Sequence, residues 1–284
     1  MNNLSKISII TPTLNSEKDI EACILSVTNQ SYENKEHLII DGLSTDKTIE
    51  IVNKYAEKYP HIRLVLEKDN GIYDAMNKGI DRSNGEWIYF LGSDDIFYNE
   101  HVLDKVFKKN NTKSLDVIYG NVLWDNSGNI YDGEFTLTKL IEQNICHQAI
   151  FFKKNIFQKL GNFNIRYRVL ADWAFNLRWF SDDKIKRKYI PLTISHYRLG
   201  GFSSKHCDEI FFEDVPKIID KNFPPKHADA YKKILNLKYK SNYKEDAIFN
   251  QSIYQKNKEI EFMKSSKFWK LRERYMSLKN KFKI

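Results

Sequence analysis

The stretch Trp87-Ile-Tyr-Phe-Leu-Gly-Ser-Asp-Asp95 is an apolar run that ends abruptly on two adjacent carboxylates. A run of this kind beside a charged, helix-like segment is typical of a strand that is buried on both faces. Ligands of open α/β sheets bind at the carboxyl ends of the strands, where Asp94 and Asp95 are expected to lie. Adjacent carboxylates repel each other, and a cation or a hydroxyl-rich ligand would relieve that repulsion. The stretch therefore predicts the outline of a metal-and-nucleotide site. The alternative is a surface turn in which Ser93 or Asp94 caps a following helix.

The N-terminal half alternates between strand-like and helix-like periodicity. Strands are predicted at Ile7–Thr11, Glu36–Asp41, Ile62–Glu67 and Trp87–Asp95. Helices are predicted between them at Glu17–Gln30, Asp46–Tyr59 and Tyr73–Arg82. Alternation of this kind implies right-handed βαβ units and a parallel sheet flanked by helices.

The rhythm changes after Asn110. The predicted strands there are Asp116–Val122, Ala149–Phe152 and a β pair formed by Lys188–Ile194 and Ser195–Leu199. The predicted helices are Asn155–Leu160, closed by Gly161, and one that starts near Ala171-Asp172. Residues 1–206 are expected to form the main domain, and residues 207–284, rich in Lys, Tyr and Asn, a helical extension.

Composition limits the classes of function. Most of the net charge of +8 lies in Glu261–Ile284, which holds eight Lys or Arg residues against two Glu. The excess of basic residues is therefore a property of the C-terminal tail, and we expect no nucleic-acid partner. No run approaches the roughly 18 to 20 apolar residues that span a bilayer. The first residues run straight into a predicted strand, so we expect no signal peptide. Three widely spaced cysteines are typical of free thiols in a reducing cytosol, and we expect a cytoplasmic protein.

The tail carries an apolar stripe at helical spacing, made of Phe268, Leu271, Tyr275, Leu278 and Phe282. A basic amphipathic helix of this kind can lie on an anionic membrane surface, which would place residues 264–284 at the inner face of the cytoplasmic membrane. An ordinary surface helix docked on the domain is the alternative.

Polar groups at the other strand ends suggest further ligand contacts. Asp41, at the end of the second predicted strand, can accept hydrogen bonds from a base or a ribose, whereas Asp46 is expected to cap the next helix. Lys78 can neutralise a phosphate or can be a solvated helix lysine.

The ordered set of motifs resembles the family 2 glycosyltransferases, whose catalytic domain has the GT-A fold. The matching pieces cover residues 6–203 and are Ser8–Asn15, Ile40–Thr48, Asp69–Gly79, Gly85–Asp95, Cys146–Phe151 and Ala171–Arg178. The subgroup that the chain looks most like assembles bacterial capsule, colanic-acid-type or O-antigen polysaccharide. The resemblance implies a GT-A, Rossmann-like, mostly parallel sheet flanked by helices, with the basic helical extension added to it.

The resemblance also implies roles at the donor site. It places a nucleotide sugar, with UDP the preferred nucleotide, against Thr11, Pro12, Thr13, Asn15, Asp41, Asp69, Lys78, Ser93 and Asp94. Asp95 would ligate Mn²⁺ or Mg²⁺ on the diphosphate, since both cations favour oxygen ligands. Many relatives carry Asp-x-Asp-Asp here, whereas this chain has Gly92 at the first position.

Asp172 is the candidate base. At the start of a helix its ionised form is favoured, and it could remove the proton from an acceptor hydroxyl as the sugar departs with inversion. The acceptor implied is a saccharide or a polyprenyl-linked saccharide. Asp172 as a helix cap is the alternative. Arg198 is a candidate phosphate ligand, and His196 a candidate metal ligand or a structural residue. His147 is expected to bind the acceptor or to serve structure.

Two other functions compete with a glycosyltransferase. A sugar nucleotidyltransferase would need a glycine-rich basic loop after the first strand, where this chain has Thr11-Pro-Thr-Leu-Asn-Ser-Glu17. A non-catalytic carbohydrate-binding or scaffold protein would have a decayed site. The joint presence of Asp41, Asp94, Asp95 and Asp172 argues against that decay.

Overall fold

The computed structural model describes residues 4–124, 128–131, 133–197 and 208–224. Its first half alternates strands with helices, as predicted. These elements are β1 (Ile7–Thr13), α1 (Ile20–Thr28), β2 (Lys35–Asp41), α2 (Thr48–Lys58), β3 (Ile62–Leu66), α3 (Ile72–Arg82) and β4 (Trp87–Phe90). Every residue of β1 and β4 is buried, which explains why the sequence of β4 is continuously apolar instead of alternating.

The second half contains shorter elements. They are β5 (Ile96–Phe97), α4 (Val102–Phe107), β6 (Val117–Trp124), β7 (Asn129–Tyr131), α5 (Leu137–Glu142), a 3₁₀ turn (His147–Ala149), β8 (Ile150–Lys153), α6 (Asn155–Leu160), α7 (Ala171–Ser181), β9 (Arg187–Tyr197) and α8 (Glu209–Asn222). Gly161 ends α6 with a φ of 78°, a conformation that glycine adopts without strain, as its place in the sequence predicts.

The described strands form one sheet in the order β3-β2-β1-β4-β8-β6-β9-β5, with β7 paired to β6. The first four strands in this order are parallel, which confirms the predicted βαβ units. Beyond β4 the sheet is mixed, because β8 is antiparallel to both β4 and β6, while β6 and β9 are parallel. The predicted α/β class is therefore confirmed, and the parallel part is its N-terminal half.

One predicted element is wrong. Residues 187–197 form a single strand, β9, and not a β pair that turns between Ile194 and Ser195. β9 pairs with β6 from Arg187 to Tyr197, and Ile96 and Phe97 of β5 pair with His196 and Ser195, so the strand continues through the expected turn.

The core lies on both faces of the sheet. Alternate residues of β4 point to opposite layers: Trp87 and Tyr89 pack with α1 and α4, whereas Ile88 and Phe90 pack with α3 and α7. Helix α8 adds Phe211 to the second layer, where its ring stacks on Trp173 of α7 at a centroid distance of 5.4 Å. Within the described ranges, no helix is long and apolar enough to cross a membrane.

Candidate active site

The loops that follow β1 and β2 are tied together at the carboxyl edge of the sheet. The amide N–H of Asn15 donates to Ser44 Oγ at 2.8 Å, and Asn15 Oδ1 accepts from the N–H of Thr45 at 2.8 Å. Asn15 has a φ of 52°, a left-handed conformation that asparagine tolerates better than most residues. The structure therefore brings the predicted nucleotide-site residue Asn15 next to the loop that begins at Asp41.

Asp41 is fully buried at the end of β2. Its Oδ1 accepts from the N–H of Ser44 at 2.7 Å, and its Oδ2 accepts from the hydroxyl of the same residue at 2.7 Å. Asp69 lies close to this loop, since a Cβ added to Gly42 would be 2.5 Å from Asp69 Oδ2. A glycine is needed at position 42 for this approach. The contact of Asp41 with a base stays a prediction.

The two threonines at the end of β1 differ in their hydrogen-bond partners. Thr11 is fully buried, and its Oγ1 is 2.8 Å from Nε2 of His37 on β2, so this hydroxyl lies inside the sheet. Pro12 is also buried. The Oγ1 of Thr13 is buried and has no hydrogen-bond partner among the described residues, which makes it the better candidate of the two threonines for a ligand contact.

Lys78 and Asp46 both bond to other residues of the protein. Lys78 is mostly buried, with its ammonium 3.3 Å from carboxylates of both Glu67 and Asp74, so it is not a solvated lysine. Asp46 accepts from the N–H of Thr48 at 3.0 Å at the start of α2, as predicted. Whether Lys78 contacts a phosphate is still a prediction.

The turn after β4 places the two adjacent carboxylates at the same edge. The N–H of Asp95 donates to the carbonyl of Gly92 at 3.1 Å, and Asp95 is almost fully buried. Ser93 contacts the loop that follows β1, with its Oγ 2.9 Å from that of Ser16. The chain continues into β5 and not into a helix, so the alternative in which Ser93 or Asp94 caps a following helix is wrong.

His196 lies beside this turn. It is paired in register with Ile96, the residue after Asp95, and its Nε2 is buried without a hydrogen-bond partner among the described residues. No group of three or more His, Cys, Asp or Glu in the described ranges is arranged to hold a metal ion. A cation at this place would therefore depend on oxygen atoms of a ligand as well as on Asp95 and His196. Arg198 lies outside the described residues.

Asp172 lies in the first turn of α7 and is mostly buried. Its Oδ1 accepts from the N–H of Trp173 at 2.8 Å and lies 2.9 Å from the hydroxyl of Tyr73, which also faces the carbonyl of Val169 at 2.6 Å. Its Oδ2 is 3.3 Å from Nδ1 of His147. Burial, and next to it the charge of Asp172, raises the pKa of Tyr73 well above its usual range, so the phenol stays a donor.

The 3₁₀ turn joins the two carboxylate sites. Gln148 is buried, and its Nε2 donates to Asp95 Oδ2 at 2.7 Å, while the preceding His147 faces Asp172. The carbonyl of Gln148 accepts from Tyr89 at 2.8 Å and from Ser195 at 3.0 Å, which fixes the turn. Sequence reasoning gave no role to Gln148 or Tyr73. The signal for Gln148 was a polar pair, His147-Gln148, set directly before an apolar strand.

Comparison with known proteins agrees with this fold. Residues 8–199 match the glycosyl transferase family 2 pattern, and the chain belongs to that family. Over 215 residues the chain is 39% identical to a PGL/p-HBAD biosynthesis glycosyltransferase of Mycobacterium bovis. The aligned region is 74% of this chain and 83% of that protein.

Two solved structures share the fold. TarS of S. aureus (residues 1–349), in complex with UDP-GlcNAc, has a TM-score of 0.68 at 19% identity and covers 86% of this chain and 79% of its own. The mannosyltransferase PcManGT of Pyrobaculum calidifontis, in complex with GDP-Man and Mn²⁺, has a TM-score of 0.56 at 15% identity and covers 98% and 88%. The GT-A-like fold is confirmed, and the enzyme class is glycosyltransferase.

Proposed function

We propose that the protein transfers a hexosyl or N-acetylhexosaminyl group from a UDP-sugar to a saccharide or polyprenyl-linked saccharide, with inversion at the anomeric carbon. The proposal rests on the proximity of two carboxylates, Asp95 and Asp172. Two consecutive residues of the chain contact them: Gln148 contacts Asp95, and His147 contacts Asp172. A carboxylate for the donor cation and a carboxylate for the acceptor proton are the two groups that a single displacement requires. The UDP-GlcNAc in the TarS structure supports the choice of UDP.

The donor is proposed to lie along the carboxyl edge of the sheet. Asn15, Asp41 and Asp69 would contact the nucleoside, with Thr11, Pro12 and Thr13 behind them. Ser93, Asp94, Lys78 and Arg198 would contact the ribose and the diphosphate. The loops of Asn15, Asp41 and Asp69 lie against one another in the structure, which supports a shared ligand.

Mn²⁺ or Mg²⁺ fits the donor set. Asp95 supplies oxygen, and His196 supplies a buried Nε2 that has no partner among the described residues. When bound, the cation would supply charge stabilisation for the leaving diphosphate. Gln148 holds Asp95 in place through a bond of 2.7 Å, and Gly92 leaves room for its carboxylate.

Asp172 is proposed as the general base that removes the proton from the acceptor hydroxyl. It lies in the first turn of α7, where the N–H of Trp173 and the hydroxyl of Tyr73 are within hydrogen-bond distance of its Oδ1. The acceptor is held at this end of α7, opposite the donor across the 3₁₀ turn.

We place the reaction in the assembly of a bacterial surface polysaccharide of the capsule, colanic-acid or O-antigen kind, on the cytoplasmic side of the membrane. The M. bovis relative, named for PGL/p-HBAD biosynthesis, supports a biosynthetic role. Residues 264–284, which lie outside the described residues, would contact the anionic lipid surface. Sedimentation of the full chain, but not of residues 1–224, with anionic vesicles tests that contact.

A nucleotide panel tests the donor site. Thermal unfolding is measured with UDP, GDP and dTDP, with and without Mn²⁺, on the wild type, on Asp95→Asn and on the control Asp81→Asn, whose carboxylate is exposed on α3. We expect UDP with Mn²⁺ to stabilise the wild type and the control by about 2.7 kcal/mol at 100 times the Kd, and Asp95→Asn far less. If no nucleotide stabilises the wild type, the donor site is refuted and the scaffold function replaces it.

A further inference from the structure

We propose that the groove between α7 and α8 binds a prenyl diphosphate, the lipid carrier of the acceptor saccharide, through its diphosphate and its first isoprene units. The inference rests on the proposed function and deepens it by giving the acceptor's carrier a site of its own. The groove has a volume of about 400 Å³, which is within the range of small-molecule sites. We call it the α7–α8 groove, and its lining includes Ala174, Phe175 and Arg178 of α7 and Lys217, Ile218 and Lys221 of α8.

The wall of the α7–α8 groove is strongly basic. The basic side chains that line it are Arg166, Arg178, Lys217 and Lys221, and the only carboxylate among the described lining residues is that of Asp214. Asp214 is itself shared, since it lies 2.9 Å from Lys217 Nζ and 3.4 Å from Arg166 Nη1. One acid against four bases leaves an excess of positive charge in the groove, which a bound anion would compensate.

Arg178 gives the clearest indication of an anion. Its guanidinium is half-buried, with Cζ 5.9 Å from the ring centroid of Phe175, and one N–H group donates to the carbonyl of Leu160. No carboxylate among the described residues pairs with this guanidinium, and burial lowers its pKa from the usual value of arginine. A half-buried cation without a counter-ion is costly, whereas a phosphate can accept two parallel N–H groups from a guanidinium.

The floor of the same groove is apolar. Ala174 and Phe175 are buried, and Ile218 packs against the same hydrophobic core from α8. Contact with a hydrocarbon chain would remove apolar surface of both partners from water. A basic wall above an apolar floor therefore fits an amphiphile with a phosphate head group. It fits an acidic peptide less well, because peptide groups would lose water against the floor without gaining hydrogen bonds.

One end of the α7–α8 groove lies beside the proposed general base. Ala171, which also lines the groove, directly precedes Asp172, and Arg178 lies about 9 Å further along the axis of α7. Tyr167 lines both this groove and a second cavity of about 260 Å³, which Tyr73 lines as well. The hydroxyl of Tyr73 is 2.9 Å from Asp172 Oδ1. A saccharide attached to a diphosphate at Arg178 would then extend past Tyr167 toward Asp172.

Titration with a short prenyl diphosphate tests the groove. The full chain is titrated with geranyl diphosphate, inorganic diphosphate and geraniol in EDTA, so that no divalent cation holds a diphosphate at the donor site. We expect geranyl diphosphate to bind best, since it offers both charge and hydrocarbon, and its affinity to fall as salt is added. If inorganic diphosphate or geraniol binds as tightly, the assignment to an amphiphile is wrong.

A double substitution in α8 locates the site. Lys217→Gln/Lys221→Gln removes two exposed charges from the groove, and we expect it to weaken the binding of geranyl diphosphate about 10-fold. The matched control is Lys54→Gln/Lys58→Gln, which removes two exposed lysines at the same spacing from α2 and is expected to bind like the wild type. Equal affinity in the wild type and in the α8 variant would overturn the groove as the binding site.

Arg178→Gln tests the guanidinium itself. Glutamine can still donate to the carbonyl of Leu160 but carries no charge, so we expect at least as large a loss of affinity as in the α8 variant. If Arg178→Gln does not fold, as judged by its urea transition, the double lysine variant decides the question.

Two further outcomes separate this inference from its alternatives. Sedimentation with phosphatidylglycerol vesicles tests a lipid head group as the ligand. An equal loss of vesicle binding and of geranyl diphosphate binding in the α8 variant would assign the groove to the membrane surface and overturn the carrier site. The titration contains no nucleotide, so failure of UDP to stabilise the wild type would overturn the proposed function and leave the prenyl diphosphate site standing.

Discussion

Gly92 shows how one missing side chain shapes the donor site. Many relatives carry an aspartate at this position, whereas this chain has a glycine and so one carboxylate fewer near the turn. In this structure a Cβ at residue 92 would lie 2.6 Å from Asp95 Oδ2 and 3.0 Å from Asp94 Oδ1. Both distances are shorter than normal non-bonded contacts. The close turn of Asp95 onto Gly92 thus requires glycine, and a side chain there would have to move the carboxylates.

We predict that Gly92→Ala weakens donor binding more than it weakens the fold. The added methyl group would push Asp95 Oδ2 away from Gln148 Nε2 and break a bond of 2.7 Å. Loss of an outer partner of a metal-binding carboxylate typically costs about 10–100-fold in metal affinity. Titration of Mn²⁺ and UDP by calorimetry measures the change, and urea unfolding measures the stability.

Gln148→Leu is the matched control for this mechanism, because it removes the same bond from the other side. If both variants act through Asp95, the double variant loses less affinity than the product of the two single losses. If the affinity loss of the double variant equals the product of the two single losses, Gly92→Ala does not act through Asp95 but by another route, such as a shift of the backbone.

At the scale of secondary-structure elements, β1 and β2 are joined by a buried pair that responds to pH. His37 on β2 is fully buried, its Nε2 is 2.8 Å from Thr11 Oγ1, and burial lowers the pKa of its imidazole to about 3 from 6.5. The folded state therefore binds this proton less readily than the unfolded chain does. Since the unfolded state carries more protons between pH 6.5 and 3, the stability falls as the pH falls through that window.

We predict that His37→Gln flattens this dependence. Glutamine can still bond Thr11 but does not titrate here, so the variant should lack a slope of up to about 1.4 kcal/mol per pH unit. Urea midpoints measured at pH 7.5, 6, 5 and 4 test this. His101→Gln, which alters an exposed histidine, should keep the wild-type slope. A slope in His37→Gln equal to that of the wild type would show that other groups govern the acid limb.

The elements that the sequence predicts well are those whose burial is uniform. Strand β4 is apolar on both faces, so its start at Trp87 could be predicted, although the strand ends at Phe90 and not at the predicted Asp95. Strand β9 was predicted as two pieces because its residues alternate irregularly between buried and exposed, a pattern that pairing with β6 and β5 explains and that its own residues do not.

At the scale of the whole molecule, the site joins residues that are far apart in the chain. Tyr73 and Asp172 are 99 positions apart, and Asp95 and Gln148 are 53 apart. The resemblance to the family indicated the carboxylates and their order. It did not indicate the donors that hold them, since a bond between side chains leaves no periodic trace in a sequence. Gln148 and Tyr73 therefore became visible only when the chain was folded.

The extension is coupled to the candidate base through α8. Asp208 Oδ2 accepts from the N–H groups of Val169 and Leu170 at 2.9 and 3.1 Å, immediately before α7 begins. Phe211, Val215 and Ile219 of α8 are buried in the same core as α7. The predicted division after residue 206 would remove these contacts and leave the loop before Asp172 without its support.

We predict that a chain of residues 1–206 is much less stable than one of residues 1–224. Burial of each large apolar side chain contributes about 1.5–3 kcal/mol, so the loss of three should cost on the order of 5 kcal/mol, similar to the whole stability of many domains. Urea unfolding of the two chains measures the difference, with residues 1–224 compared against the full chain as the control. Equal midpoints for 1–206 and 1–224 would mean that the catalytic domain does end at residue 206. A loss of the transition in 1–206 alone would mean that α8 belongs to the domain that holds Asp172, and that any separate extension starts after it.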